Sequence, residues 1–389
     1  RYMNLIESSY NPDILNCIAD LSNDEIFTSP ELVNSILDNL PNKLWKDPNA
    51  KFLDPCSKTG VFLREIAKRL NEGLKDYIKN PQKRSDHIFS NQLFGISITE
   101  LTSLMSRRTL YYSKNSKGKN SICKNFKNND GNIYFKNYSH IWKNNICTAC
   151  GAKMILYDRV GKESYAYPFW HDNDIYKNMK FDVIIGNPPY QHEDEGFGKS
   201  ASPIYNKFVE QAIRLNPTYL SMIIPARWYS GGKGLDDFRK NIVNDNRISQ
   251  LHDFPETADC FPGRNIRGGV CYFLWEKNHK GKTKILNHKN GKVISEDTRD
   301  LNSNGAGFFI RYNDAIPILE KVKKFKEDPF DEIVSSRKPF GLPTNFDAFK
   351  DKPLERFNVK LYRFGKNGYI SKNQTEINRE LISKYKVIV

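Results

Sequence analysis

The chain has 389 residues, enough for two domains, and enough aliphatic and aromatic side chains for a large core. Seven cysteines are too few for a disulfide scaffold, no apolar run approaches a membrane span, and no signal-peptide pattern opens the chain, so a soluble cytoplasmic protein is expected. Lys and Arg outnumber Asp and Glu by 60 to 45, a net charge of +15 that suits a polyanion such as nucleic acid, with genome base bias toward Lys and Asn as the competing explanation.

Residues 28–40, TSPELVNSILDNL, read as a helix that Thr28 or Ser29 can cap, with Pro30 in its first turn. KFLDP (51–55) reads as a short strand, followed by a tight turn and the helix VFLREIAKRL. LFGISI (93–98) is a second strand, leading into a helix through ELTSLMSRRTL, and YAYPFW (165–170) is a candidate third. FDVIIG (181–186) is the clearest strand, SPIYNKFVEQAIRL an amphipathic helix, and TYLSMIIP (218–225) another buried strand. Strands alternating with helices imply an α/β fold with a parallel sheet covered on both faces.

The interval from about 112 to 164 breaks that rhythm and reads as an insertion. Residues 101–150 hold nine basic residues (Arg107, Arg108, Lys114, Lys117, Lys119, Lys124, Lys127, Lys136 and Lys143) against Asp130 alone. Cys147 and Cys150 have the C-x2-C spacing of a zinc knuckle, with Gly151 allowing the turn. Cys123 and His140 complete a candidate zinc quartet, and His171 is an alternative fourth ligand. After about residue 300 short mixed elements take over, which reads as the start of a second domain. Arg1 in place of an initiator Met, and an end in the apolar run KYKVIV, read as a fragment of a longer chain.

In FDVIIGNPPYQ (181–191) two prolines lacking N–H groups end a buried strand and stiffen the loop at its carboxyl edge, where open α/β sheets bind ligands. Methylation of an exocyclic amine gives these residue types a purpose. The Asn187 side-chain oxygen and the Pro188 carbonyl can each accept one amine hydrogen, aiming the nitrogen lone pair at a methyl donor. Tyr190 can stack on a base that has left the duplex.

NPPY after a buried strand resembles the catalytic motif of amino-methyltransferases that use S-adenosylmethionine. Over about residues 25–280 the chain resembles gamma-class DNA adenine-N6 methyltransferases of type II restriction-modification systems, including those whose methylase and nuclease share one chain. The resemblance implies a Rossmann-like methyltransferase fold with a mixed, mostly parallel seven-stranded sheet over residues 1–300, and a partial target-recognition domain over 301–389. It implies S-adenosylmethionine as cofactor, double-stranded DNA as partner, and a nuclease domain or subunit outside these residues, which carry no nuclease motif. Asp54, Pro55 and Gly60 of FLDPCSKTG match the turn that holds the methionine end of the cofactor, although Ser57 and Lys58 depart from the glycine-richer common form. Thr28 and Pro30 match the segment flanking that pocket.

Ser97 stands where the family has a ribose-binding acid, which leaves Glu100 as the nearest carboxylate, for the ribose or as a first-turn helix acid. Asp172, ahead of Asp174, is the choice for the adenine end. Phe261 in CFPGRNIRGG matches the residue that stacks on the flipped base, with an ordinary core aromatic as its competing role. Three other functions remain open. An N4-cytosine methyltransferase more often carries Ser in place of Asn187, and a protein glutamine methyltransferase lacks a basic zinc insertion and a long C-terminal region. A catalytically silent DNA-binding module is the third, raised by Ser97 and the sparse glycines.

Overall fold

A computed structural model describes residues 26–136, 138–154, 167–171, 176, 179–191, 202–232, 234–303, 305, 307–327, 334–335, 338–343, 345–362 and 365–385. One compact unit extends to Ile316 and a second begins at Pro317.

The first unit opens with helix α1 (Pro30–Leu37), strand β1 (Phe52–Asp54), helices α2 (Val61–Gly73) and α3 (Pro81–His87), and strand β2 (Leu93–Ile96). Helix α4 (Glu100–Tyr111) and strand β3 (Ile133–Tyr134) follow, then a two-stranded ladder of β4 (Trp142–Lys143) and β5 (Ile146–Cys147). The chain continues through α5 (Pro168–His171), β6 (Val183–Gly186), α6 (Tyr205–Arg214), β7 (Tyr219–Pro225), α7 (Asp236–Val243), β8 (Ile248–Phe254) and β9 (Val270–Glu276). Strands β10 (Thr283–Lys289) and β11 (Lys292–Arg299) close the series.

The main sheet has nine strands in the order β11-β10-β8-β9-β7-β6-β1-β2-β3. Only β9 and β11 run against the others, so the sheet is mixed and mostly parallel. Two corrections to the expected seven strands follow. A β10–β11 hairpin extends the sheet beyond β8, closed by Asn290 and Gly291, both at positive φ as a two-residue hairpin turn requires. The third strand is Ile133–Tyr134, inside the interval read as an insertion, whereas Pro168–His171 of YAYPFW is a helical turn. Residues 165 and 166 lie outside the described residues.

Strand side chains alternate between two cores, as a sheet covered on both faces requires. Phe52, Val183, Ile185 and Ile223 pack with Leu32, Ile36, Ile66 and Leu110 of α1, α2 and α4. Leu53, Ile184, Leu220 and Met222 pack with Phe208 and Phe238 of α6 and α7 on the opposite face. This is a methyltransferase-like doubly wound fold, in which the chain winds outward from β1 to β3 and returns to start the other half at β6. Among the described residues no helix is long and apolar enough to cross a membrane. In the second unit, β12 (Val359–Leu361) pairs antiparallel with β13 (Gly368–Ile370).

Candidate active site and Cys/His cluster

β1 and β6 are parallel neighbours, Phe52 opposite Val183 and Leu53 opposite Ile184, so their carboxyl ends open side by side. The winding reverses between them, and such a switch point forms a crevice suited to ligands. Thr28, Asp54, Gly60 and Asn187 line one cleft there, together with Phe27, Cys56, Lys58, Thr59, Val61 and Phe62.

Asn187 is buried, and its amide orientation follows from its partners. The Nδ2 group donates to the Ile26 carbonyl at 2.9 Å and to Thr28 Oγ1 at 3.1 Å. A carbonyl only accepts, so the nitrogen must face Ile26 and the oxygen the other way. Asn187 Oδ1 is left buried with no hydrogen-bond partner among the described residues, an arrangement that native proteins keep only where something satisfies or uses the group. Ser29, not Thr28, caps α1, its Oγ accepting from Leu32 N at 3.3 Å, which leaves the Thr28 hydroxyl to Asn187. The Lys58 ammonium donates to the same Ile26 carbonyl at 3.0 Å.

Asp54 ends β1 fully buried, its Oδ1 accepting from Cys56 N at 3.0 Å. Burial pushes its carboxyl up to about 7, against the opposing pull of the Cys56 amide and the Lys58 charge. It can be accommodated because residue 186 is glycine: a β-carbon there would lie 2.7 Å from Asp54 Oδ1. Gly60, at φ 74°, precedes α2 and passes so near α4 that a β-carbon would come within 3.1 Å of Ser106 Cα. The turn between them is pinned from outside: Ser57 N donates to the Ile96 carbonyl at 2.8 Å and Ser97 Oγ to the Ser57 carbonyl at 2.9 Å. Ser97, standing where the family has an acid, thus ties the end of β2 to this turn.

The other predicted positions are distributed around this cleft. Pro30 is the first residue of α1, and Pro55 and Pro188 are buried beside their strand ends. Glu100 is exposed in the first turn of α4, beyond the Thr99 cap, and is not among the residues lining the cleft. Asp172 and Asp174 lie outside the described residues. Tyr190 and Phe261 are both buried and belong to the same apolar cluster; the Tyr190 hydroxyl has no partner among the described residues, and burial holds its ionisation far above the usual phenol range. Gly186 and Lys58 join the expected site residues, and their sequence signals are a glycine directly before Asn187 and a lysine that departs from the glycine-richer common form.

Away from the crevice, His140, Cys147, Cys150 and His171 bring their ligand atoms within 4.8 Å of one another, a group able to hold a metal ion. Cys147 Sγ lies 3.4 Å from His171 Nε2, and Cys150 Sγ lies 3.4 Å from His140 Nδ1. Burial lowers both imidazoles, His140 to about 4, so near pH 7 they are neutral and keep a lone pair to offer. Cys123 does not join them. It is buried in the apolar core with Leu110, Tyr111 and Ile133, its sulfur 3.9 Å from the Asp86 carbonyl, so the predicted quartet is corrected by placing His171 in its stead. Nothing in the linear spacing distinguishes the two residues, because the choice depends on where the 168–171 turn docks.

The chain is similar to several known proteins. The family model for the Eco57I restriction-modification methylase matches residues 91–261. An uncharacterized adenine-specific methylase of Mycoplasma pneumoniae is 39% identical over 322 residues, covering 75% of this chain and 76% of that protein. Among solved structures, the M protein of the type I restriction enzyme EcoKI matches 72% of this chain at 14% identity with a TM-score of 0.44. The type IIG restriction endonuclease BpuSI matches 95% at 12% identity with the same TM-score. The chain spans about half the length of these two, 52% and 47% respectively. A loop at the switch point carrying a buried, oriented Asn-Pro-Pro-Tyr, joined to a relative this similar over three quarters of its length, places the chain in the Eco57I family of adenine-specific restriction-modification DNA methylases.

Proposed function

We propose that this chain transfers a methyl group from S-adenosylmethionine to the N6 amine of an adenine flipped out of double-stranded DNA. It would do so in the cytoplasm as the gamma-class modification activity of a type II system, alongside a nuclease domain or subunit. One observation carries the proposed chemistry: Asn187 Oδ1 is buried, unpartnered among the described residues, and aimed by the Ile26 carbonyl and Thr28 acting on the amide nitrogen.

The residues present suit the cofactor. A buried carboxylate at Asp54, Gly60 at a helix start, and a cleft shared with Asn187 provide an acceptor for a cation and a close backbone approach. When bound, S-adenosylmethionine supplies an electrophilic methyl group. Asp54, Pro55 and Gly60, flanked by Thr28 and Pro30, would hold its methionine end and Asp172 its adenine, and Glu100 would have to reach the ribose from outside the cleft lining. Asn187 Oδ1 and the Pro188 carbonyl each accept one hydrogen of the target amine, which draws the nitrogen toward tetrahedral geometry and frees its lone pair. Tyr190 and Phe261 stack on the extruded base, which requires both to leave the apolar cluster they now occupy. The cluster of two cysteines and two histidines suits Zn²⁺, and four protein ligands make its role structural.

The test is to incubate the protein with S-adenosylmethionine and a DNA library and map the modified bases. N6-methyladenine at a fixed sequence is expected. Modification that persists undiminished in Asn187→Ala overturns the mechanism.

A further inference from the structure

We infer that the metal held by His140, Cys147, Cys150 and His171 is a clamp that fastens the basic insertion to the body of the methyltransferase, and that this clamp keeps residues 140–154 folded. The inference rests on the zinc reading above and is independent of the methyl-transfer reading.

The ligands come from two separate segments. Three lie within the knuckle of the insertion, and the fourth, His171, ends α5, whose Phe169 is buried against Phe208 of α6 together with Tyr167 just before the helix. His171 is oriented by the body: its Nδ1 lies 2.9 Å from the Tyr167 carbonyl, which can only accept, so Nδ1 carries the proton and Nε2 presents a lone pair to Cys147. Such an outer hydrogen bond is the usual way a metal-ligating imidazole is held. The spacing suits one shared ion. A tetrahedron with metal–sulfur bonds of about 2.3 Å and metal–nitrogen bonds of about 2.0 Å has sulfur–nitrogen edges of about 3.5 Å, and both observed pairs lie at 3.4 Å. Lys207 of α6 adds a second tie, its ammonium donating to the Cys150 carbonyl at 2.7 Å.

Among the described residues the knuckle buries little apolar surface. Its buried apolar cluster consists of Cys147, Cys150 and Ala152, with Trp142 and Trp170 packed partly against it. β4 and β5 share two residue pairs, far short of an independently stable hairpin. Ile141 and Ile146, the aliphatic side chains available to build a core, are exposed. With so little apolar burial beside its few backbone hydrogen bonds, chelation supplies a large share of the folding free energy.

The experiment uses the whole chain purified without chelator. Elemental analysis is expected to find one zinc per chain, and replacement by Co²⁺ to give the absorption of a tetrahedral thiolate site. Hydrogen exchange followed by mass spectrometry, with and without chelator, should show exchange across residues 140–154 rising about tenfold or more while β1 and β6 hold steady. Cys123→Ser should keep the metal, and Cys147→Ser and His171→Ala should each lose it. Absence of metal refutes the zinc reading itself. Metal that binds but whose removal leaves exchange at 140–154 unchanged refutes the clamp alone, and loss of metal in Cys123→Ser with retention in His171→Ala refutes the ligand set. The cobalt and chelation arms use the native chain, so they decide the matter even where a variant fails to fold.

Discussion

The crevice and the Cys/His cluster each gather a few polar side chains from distant parts of one compact unit, yet they are held by opposite means. Around the crevice, Leu53, Val183, Ile184 and Ile185 are fully buried, and helices cover both faces of the sheet. Each large side chain so buried contributes on the order of 1.5–3 kcal/mol. That surplus tolerates two costly features, a buried amide oxygen with no partner among the described residues and a carboxyl whose pKa burial lifts to about 7. Among the described residues the cluster has far less apolar support, Cys147, Cys150 and Ala152 with two tryptophans beside them, and its four ligand atoms converge so that one ion could bind them all. On the proposed reading, a reactive site is built where a large core can carry costly groups, and a structural staple where the apolar cluster is small.

Asn187→Ala is the most severe way to probe the first half of this comparison. It should lower the single-turnover methylation rate by about 10²–10³-fold, by analogy with removal of one positioned group from an electrostatic site, while metal content and melting temperature stay near those of the parent. Gly186→Ala comes next. Its methyl group would stand 2.7 Å from Asp54 Oδ1, so overpacking of about 1–3 kcal/mol is expected, with cofactor affinity in calorimetry falling about tenfold or more. Unchanged affinity would mean that Asp54 can move without consequence.

The pH dependence probes the same carboxyl more gently. Asp54 retains its proton up to about 7, and the ionised form is the one that attracts a cationic cofactor. Affinity should therefore rise with pH, at most about tenfold per unit, and level off above 7. A flat profile between about pH 5.5 and 8.5 would remove Asp54 from the binding site. In the free protein the sign is reversed: the unfolded chain releases this proton near 3.8 and the native one near 7, so the group's contribution to stability declines as pH rises between those values. Asp54→Asn should abolish that slope in denaturant titrations.

Thr28→Val removes one of two acceptors from the Asn187 amide. A loss of about 1 kcal/mol of positioning, roughly fivefold in rate, is expected, with Thr28→Ser restoring most of it. The smallest effect sharpens the contrast between the regions. Cys147→Ser, though it releases the metal, should change cofactor affinity by less than about twofold, because additivity holds for separated sites. A large change would couple the staple to the crevice.

Much of this was legible in the residues. The helix after Thr28, the strands at FLDP, LFGI, VIIG and YLSMIIP, and the Asp-Pro and Asn-Pro-Pro-Tyr loops all stand where local pattern put them. The β10–β11 hairpin is readable too, since Asn290-Gly291 is the strongest short-range turn signal, although it lies beyond the motif-bearing region. The two-residue β3 was not readable: so short an edge strand has no periodicity, and only pairing of Gly95 with Ile133 and Ile96 with Tyr134 reveals it.

The sequence by itself determined the local chemistry, because strand period, turn residues and helix caps act over a few neighbouring positions. Tertiary structure alone decided which way the Asn187 amide points, since its key partner is a main-chain carbonyl 161 residues away that no side chain advertises. It also decided that His171 and not Cys123 completes the metal cluster, because ligand convergence is a matter of distance in space, and spacing along the chain leaves that distance open.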